Sequence, residues 1–312
     1  MSDFKEIIEG VEYSFPAFKF LSEENAKKLL ENGNVHIPNI MDFRDEKKYG
    51  GLIFDPREGI AQLHLPSVGY RGMDCNFGDS NDGSPLTFQV DDAYIFCCAS
   101  RFVTESLKWA IEDKKQKCVL ITDVDKFVHR LTEYFSDDLS LVSAKNCRYI
   151  GRDFALNKVN RDHFLKDINE VLFIKPKAYV NQMESRLVWR TIDGSHSKNF
   201  FNANIPLNDL LIPINYRGKV ENLDVDINYQ PGVTVVTKTP HANVSYGGQS
   251  IAKVLSPIVH HAEGREYLGF LSDYEGYYNC SFGGDIPFMI SPFGVILCSV
   301  ETSKIVSIDI LF

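Results

Sequence analysis

The chain of 312 residues lacks any apolar run of the ~20 residues that a membrane-spanning helix needs. Its N-terminus, MSDFKEIIEG, is acidic and lacks the basic-then-apolar order of a secretory signal. Together these absences read as a cytoplasmic protein with no membrane partner. Basic excess is lacking too: 33 Lys and Arg stand against 42 Asp and Glu, a net charge of −9. A protein that coats nucleic acid is usually basic, because phosphate contacts dominate its affinity. A local basic cleft for a handled substrate remains compatible with that balance. Paired-cysteine motifs are missing. The seven cysteines are odd in number and scattered, with no CxxC and no Cys/His cluster at zinc spacing. They read as mostly buried, inert thiols, including adjacent Cys97 and Cys98 in an apolar run. There is no Walker A and no GxGxxG, and the pairs Gly247-Gly248 and Gly283-Gly284 read as turns. No internal repeat or low-complexity tract is visible.

What is present is an ordinary globular composition, 44% hydrophobic and 24% charged, long enough for one large domain or two smaller ones. SEENAKKLLENGN predicts a helix with Ser22 as N-cap, an apolar stripe of Ala26, Leu29 and Leu30, and Gly33 as C-cap. FKFL before it and VHIP after it read as strands lying near each other. IAQLHL alternates and introduces a hairpin whose long loop includes NFGDSNDGSP. DAYIFCCAS and KCVLITDV read as buried strands. TESLKWAIEDKKQ and DKFVHRLTEYF read as helices, the latter with Phe127, Val128, Leu131 and Phe135 on one face and Asp123 as N-cap. NCRYIGRDF is strand-like, and RDHFLKDINEVLFI reads as a helix running into a strand or loop. After about residue 215 helix signals vanish. TVVTK, ANVSY, EYLGFL, YYNCSF, FGVILCSV and KIVSIDILF read as short strands. The predicted fold class is α+β: a mixed, mainly antiparallel sheet core with peripheral helices over 1–215. A β-rich part follows over 216–312, either a second unit or strands that complete the first sheet.

The chemistry candidate is QMESR, residues 182–186, within IKPKAYVNQMESRLVW. If it is extended, period two puts Gln182, Glu184 and Arg186 on one face. On these residues alone the bland reading is favoured: a solvated strand face with a Glu184–Arg186 ion pair. Other candidates read blandly as well. His260-His261-x-Glu263 places adjacent histidines on opposite strand faces, a poor metal pair, so no metal site is assigned. Asp123-Val124-Asp125 with Asp45-Glu46-Lys47-Lys48 offers a weak metal-dependent nuclease pattern. Cys97 or Cys98 as nucleophile would need a histidine that is not visible.

Three further stretches change the weighing of QMESR. Lys19-Phe20-Leu21 with Phe43-Arg44-Asp45, then FDPREG, resembles the opening of an uncharacterised bacterial family. That family starts with a K-Y-L strand, a helix, a second strand and an F-N-D or Y-R-x-x-E turn, and some members carry R-D-x-x-E-G next. IFCCASRF followed by LKWAIED is similar to its I-x-C-F-S…M-W-x-x-Y segment, with Ser100 and Trp109 at the matching places. KPKAYVNQMESR resembles its K…W/Y-x-x-E-x-E-x-R segment, with Glu184 and Arg186 on the second Glu and the Arg, and Gln182 in place of the first Glu. The resemblance covers roughly residues 15–215. The family in turn looks like a remote relative of ADP-ribosyltransferases, with their H/R–S/Y–E order. Lys19 stands where the first His or Arg stands, Ser100 at the middle serine and Glu184 at the glutamate.

The resemblance implies a mono-ADP-ribosyltransferase-like domain that consumes NAD, a toxin or anti-phage defence effector whose acceptor is an unidentified protein or nucleic acid. Glu184 would hold the nicotinamide-ribose 2′-OH and stabilise an oxocarbenium-like species, since a fixed negative charge suits developing positive charge. Gln182 would orient the acceptor, Lys19 and Ser100 would position the ribose, and Phe20 or Tyr179 would stack on nicotinamide. Arg44 or Arg186 would pair with the pyrophosphate, or Arg186 would only brace Glu184. A homo-oligomer is left open. The alternative in a different class is a non-enzymatic ligand-sensing or partner-binding module on the same scaffold, and the weaker one is the nuclease.

Overall fold

A computed structural model describes residues 3–47, 55–64, 85–103, 117–155, 158–194, 198–217, 224–229, 254–271 and 288–311. The expected helix at 104–116, the loop NFGDSNDGS, and the segments TVVTK, ANVSY and YYNCSF lie outside these residues. Eight strands form the central sheet: β1 (Ala17–Leu21), β2 (Ala93–Ala99), β3 (Lys117–Ile121), β4 (Leu139–Asn146), β5 (Glu184–Thr191), β6 (Leu211–Arg217), β7 (Asp224–Tyr229) and β8 (Ile305–Leu311). Their order is β4-β5-β2-β1-β3-β6-β8-β7. Neighbours are antiparallel except β6 and β8, which run parallel. The fold is therefore mixed α+β and rich in antiparallel strands.

Alternation along β2 and β5 explains why this sheet is buried on both faces. Tyr94 and Phe96 of β2, with Leu187 and Trp189 of β5, enter one apolar cluster. That cluster also holds Leu29 of helix α1 (Glu23–Asn32) and Phe127 and Leu131 of helix α2 (Val124–Tyr134). Ala93, Ile95 and Val188 point the other way, into a cluster with Leu63, Phe88, Phe164 and Phe173. Over that second face lie the three-stranded sheet containing Ile60–His64 and Leu86–Gln89, a 3₁₀ turn at Ile168–Phe173, and helix α3 (Lys158–Lys166). Ile60–His64 and Leu86–Gln89 pair antiparallel, as the hairpin reading required.

Local signals set the helix ends. Ser22 Oγ accepts from Asn25 N at 3.3 Å and Asp123 Oδ1 from Lys126 N at 2.9 Å, each satisfying an otherwise orphaned helix N–H. RDHFLKDINEVLFI breaks into helix, 3₁₀ turn and a two-residue strand, Ile174–Lys175. Asp167 causes the break, because its side chain accepts from Asn169 N at 2.9 Å and starts a new turn. VHIP does not pair with FKFL; Asn34–Pro38 pairs antiparallel with Phe200–Asn204. No helix among the described residues is long and apolar enough to cross a membrane.

The residues after 215 take two routes. β7 and β8 extend the central sheet beyond β6. Val254–Ala262, Arg265–Leu271, Gly294–Glu301 and Phe288–Ser291 instead join the N-terminal strands Lys5–Ile8 and Val11–Ser14 in a second antiparallel sheet. Residues from opposite ends of the chain thus share one ladder.

Gly33 closes α1 in the left-handed region, φ 58°, and a Cβ there would lie 1.6 Å from the Ile205 carbonyl oxygen. Both the conformation and the backbone approach exclude a side chain. Gly33→Ala is expected to cost more than about 2 kcal/mol, read by urea denaturation, because neither backbone can yield cheaply.

Candidate functional site

The central sheet forks. β1 and β2 pair at a single position, Phe18 opposite Ala99. Beyond it the strands part, and an isolated bridge joins Asn39 to Tyr94 of β2 instead. In the fork lies a cavity of about 210 Å³. Its wall includes Lys19 and Leu21 from β1, Ile95, Phe96 and Cys97 from β2, and Glu184 and Arg186 from β5. Lys175, Gln182, Phe43, Asn34 and His36 complete much of the rest.

QMESR is not one extended face. Gln182 ends a 3₁₀ turn, Lys177–Gln182, and Met183 sits in the left-handed region at φ 43°. The strand begins at Glu184. Period two then holds for Glu184 and Arg186 alone, and Arg186 Nε meets Glu184 Oε1 at 2.5 Å. Gln182 still reaches the site, because the turn folds its side chain back so that Oε1 accepts from Lys175 Nζ at 2.5 Å. The same Lys175 Nζ donates to Glu184 Oε2. The solvated-face reading is overturned: Glu184 is 6% and Arg186 2% exposed.

A chain of alternating charges runs inward from Glu184. Arg186 is bidentate to Glu58, Nη1 to Oε1 at 2.8 Å and Nη2 to Oε2 at 2.9 Å, and Nη1 also donates to the Leu172 carbonyl. Arg152 Nη2 reaches Glu58 Oε1 at 3.1 Å, and its Nη1 reaches Asp55 at 2.7 Å. Lys175, Arg186, Arg152, Glu184, Glu58 and Asp55 are all buried, and their six formal charges cancel. Burying an ion costs several kcal/mol unless its partners are well placed, so this cluster is poor value for stability alone and marks a candidate site.

Electrostatics keep Glu184, Glu58 and Lys175 ionised. Burial pushes the Glu184 carboxyl up, but Arg186 and Lys175 overcome it and hold it well below the usual carboxylate range. Glu58 is likewise lowered against its burial, by Arg186 and then Arg152. Desolvation pulls Lys175 down most, but Glu184 and Glu58 together, with smaller help, leave it above its ordinary value. Burial raises Cys97 well above the ordinary thiol range, with Glu184 adding to the shift, so the thiol in the cavity wall stays protonated.

The predicted residues divide. Glu184, Gln182, Arg186 and Lys19 converge on the cavity. Lys19 Nζ donates to the Cys97 carbonyl at 2.5 Å and lies 4.1 Å from the Phe96 ring centre. Its neighbour Phe20 points to the opposite face of β1, outside the cavity wall. Tyr179 lies beneath Lys175, whose Nζ is 5.0 Å from its ring centre, and is also outside the wall. Arg44 spends its guanidinium on the Glu58 carbonyl at 2.7 Å, Asp91 at 2.6 Å and the Val90 carbonyl at 3.1 Å. It braces the loop that carries Glu58. Ser100 donates through N and Oγ to the Met183 carbonyl, at 2.8 and 3.1 Å, and so fixes the left-handed residue before Glu184.

Sequence reasoning missed Lys175, Glu58, Asp55, Arg152 and Tyr149, whose hydroxyl accepts from Glu184 N at 2.5 Å. Asp55 and Glu58 stood in the quoted FDPREG and Lys175 in IKPK, but nothing local shows that they meet. Comparison of the chain with protein-family models, with curated proteins and with solved structures gives no significant match.

Glu58→Gln removes the anion between two buried guanidinium groups while nearly keeping its shape. It is expected to cost about 3–5 kcal/mol in urea denaturation. Glu58 and Glu184 both have folded carboxyls below their ordinary value. Their contribution to stability is therefore full above the unfolded value, about 4.3, and is lost as pH falls through the folded ones. Unfolding free energy should drop as pH is lowered below about 4.3, with a shallower slope in Glu58→Gln, which lacks one of the two titrating groups.

Proposed function

We propose that the fork cavity binds the nicotinamide-ribosyl end of NAD and that the protein transfers ADP-ribose to an acceptor, as a toxin or defence effector would. The observation that carries this reading is the ionised, buried Glu184 carboxylate at the head of β5, facing the cavity with Gln182 beside it on a shared lysine. Its charge is fixed where positive charge would develop as the C1′–nitrogen bond breaks and nicotinamide leaves with the bonding pair. Each Glu184 oxygen accepts one cation, Oε1 from Arg186 and Oε2 from Lys175. A carboxylate oxygen has a second acceptor site, which a ribose hydroxyl would use. The acceptor nucleophile would bond to C1′ and release its proton to solvent or to a neighbouring base. The reading is supported by the adjacency of β1, β2 and β5, the strands that carry Lys19 and Glu184 and lead into Ser100.

A second reading is a sensor that binds a ligand without turning it over. It is favoured by one observation: both Glu184 oxygens already hold cations, which neutralises the charge that catalysis would use.

Nicotinamide release from NAD by purified protein, with and without cell lysate, separates the two. Release should fall at least about 100-fold in Glu184→Gln. Lys19→Gln should lower it as well, with a modest fall in melting temperature because partly buried Lys19 also serves the Cys97 carbonyl. Equal release from wild type and Glu184→Gln would sink the site assignment. A ligand-induced rise in melting temperature without release would establish the sensor.

A further inference from the structure

Beside the cavity mouth lies a small ladder whose two faces differ sharply. Asn34–Pro38 pairs with Phe200–Asn204 so that Asn34 faces Asn204, His36 faces Asn202 and Pro38 faces Phe200. Val35, Ile37, Phe201 and Ala203 point inward and are buried. The outer face carries Asn34, His36, Asn202, Asn204 and Phe200, the last 45% exposed. Asn34, His36 and nearby Asn25 also line the cavity, so this face continues into it.

The outer groups are partly satisfied by one another. Asn34 Nδ2 donates to Asn204 Oδ1 at 2.8 Å, and His36 Nδ1 lies 2.8 Å from Asn202 Oδ1. With that oxygen accepting, Nδ1 carries the proton, and in the neutral ring Nε2 is left as an acceptor. Asn34 Oδ1 remains an acceptor, and the amide nitrogens of Asn202 and Asn204 remain donors. The His36 and Phe200 rings sit 5.0 Å apart and tilted by 45°, so they hold each other in place without covering both ring faces. The face thus combines an aromatic platform with alternating neutral donors and acceptors, and none of its five residues is a lysine, arginine or carboxylate. A phosphate or carboxylate finds no counter-charge there.

We infer that this ladder binds a nucleobase, stacked on Phe200 with its edge hydrogen-bonded by the asparagine amides. Aromatic platforms hold bases by stacking, and side-chain amides pair with base edges. The choice of a base over a sugar ring rests on the NAD reading of the adjoining cavity. Size points the same way: at about 210 Å³ the cavity is smaller than sites that enclose a drug-sized ligand, so much of a dinucleotide must lie outside it. The base is either the adenine of that dinucleotide or a separate nucleoside acceptor.

The test titrates adenosine, guanosine, cytidine and uridine, with glucose as control, against wild type, Phe200→Ala and Asn202→Ala by calorimetry. Both substitutions are on the exposed face, and Asn202→Ala keeps the aromatic ring if the first variant perturbs the ladder. At least one nucleoside should bind wild type, and each variant should weaken it about tenfold. Nicotinamide release from NAD and from nicotinamide riboside, which lacks the adenine, assigns the source. A KM raised in Phe200→Ala for NAD alone means the dinucleotide's adenine. An unchanged KM beside weakened nucleoside binding means a separate base. Absence of nucleoside binding together with an unchanged KM, or glucose binding as well as any nucleoside, overturns the inference. Nucleoside binding without any nicotinamide release leaves the inference standing and sinks the NAD reading instead.

Discussion

Arg186 is the group on which the site depends. One guanidinium gives its fork to Glu58, its Nε to Glu184 and a further contact to the Leu172 carbonyl. A planar, permanently charged side chain with five donors can do this; an ammonium cannot. The arginine therefore fixes two carboxylates and a backbone turn in one plane, and Arg152 repeats the arrangement one step further in. The isolated charge of any member would be very costly in this interior, so the members have to be present together.

The fork in the sheet is the second constraint. A fully paired β1–β2 ladder would run Lys19 and Leu21 alongside Cys98 and Phe96 and close the space. With pairing limited to Phe18 and Ala99, the Cys97 carbonyl is left without a strand partner on that side, and Lys19 supplies the donor. A buried carbonyl needs such a partner. The same lysine that the sequence resemblance singled out thus satisfies the backbone at the place where the sheet opens.

Much of the scaffold was legible because its signals are local. Ser22, Gly33 and Asp123 end helices through contacts within a turn, and AYIFCCA is apolar enough to be buried on both faces. QMESR was half legible: alternation put Glu184 and Arg186 together, but the turn at Met183 is set by Ser100, just past the end of β2. Burial of the pair was illegible for a deeper reason. Whether a charged strand face is wet depends on what covers it, and the cover is Glu58, Arg152 and Lys175, from segments separated by up to 117 positions. Three-₁₀ breaks such as the one at Asp167 were missed because helical periodicity continues across them.

The placement of β8 between β6 and β7 has a consequence for synthesis. On the ribosome, β6 emerges nearly a hundred residues before its partner β8, and the N-terminal strands Val11–Ser14 wait still longer for Val254–Ala262. Neither sheet can be finished before Val254–Ala262 and Ile305–Leu311 have emerged, and loop closure over such separations is slow. Until those segments emerge, the nascent protein carries open edges at β6 and at Val11–Ser14, while the charged cluster and the strands beside it are already translated. Every residue of the cavity wall precedes position 187, so a ribosome halted before residue 254 would hold a chain with the whole fork but neither finished sheet.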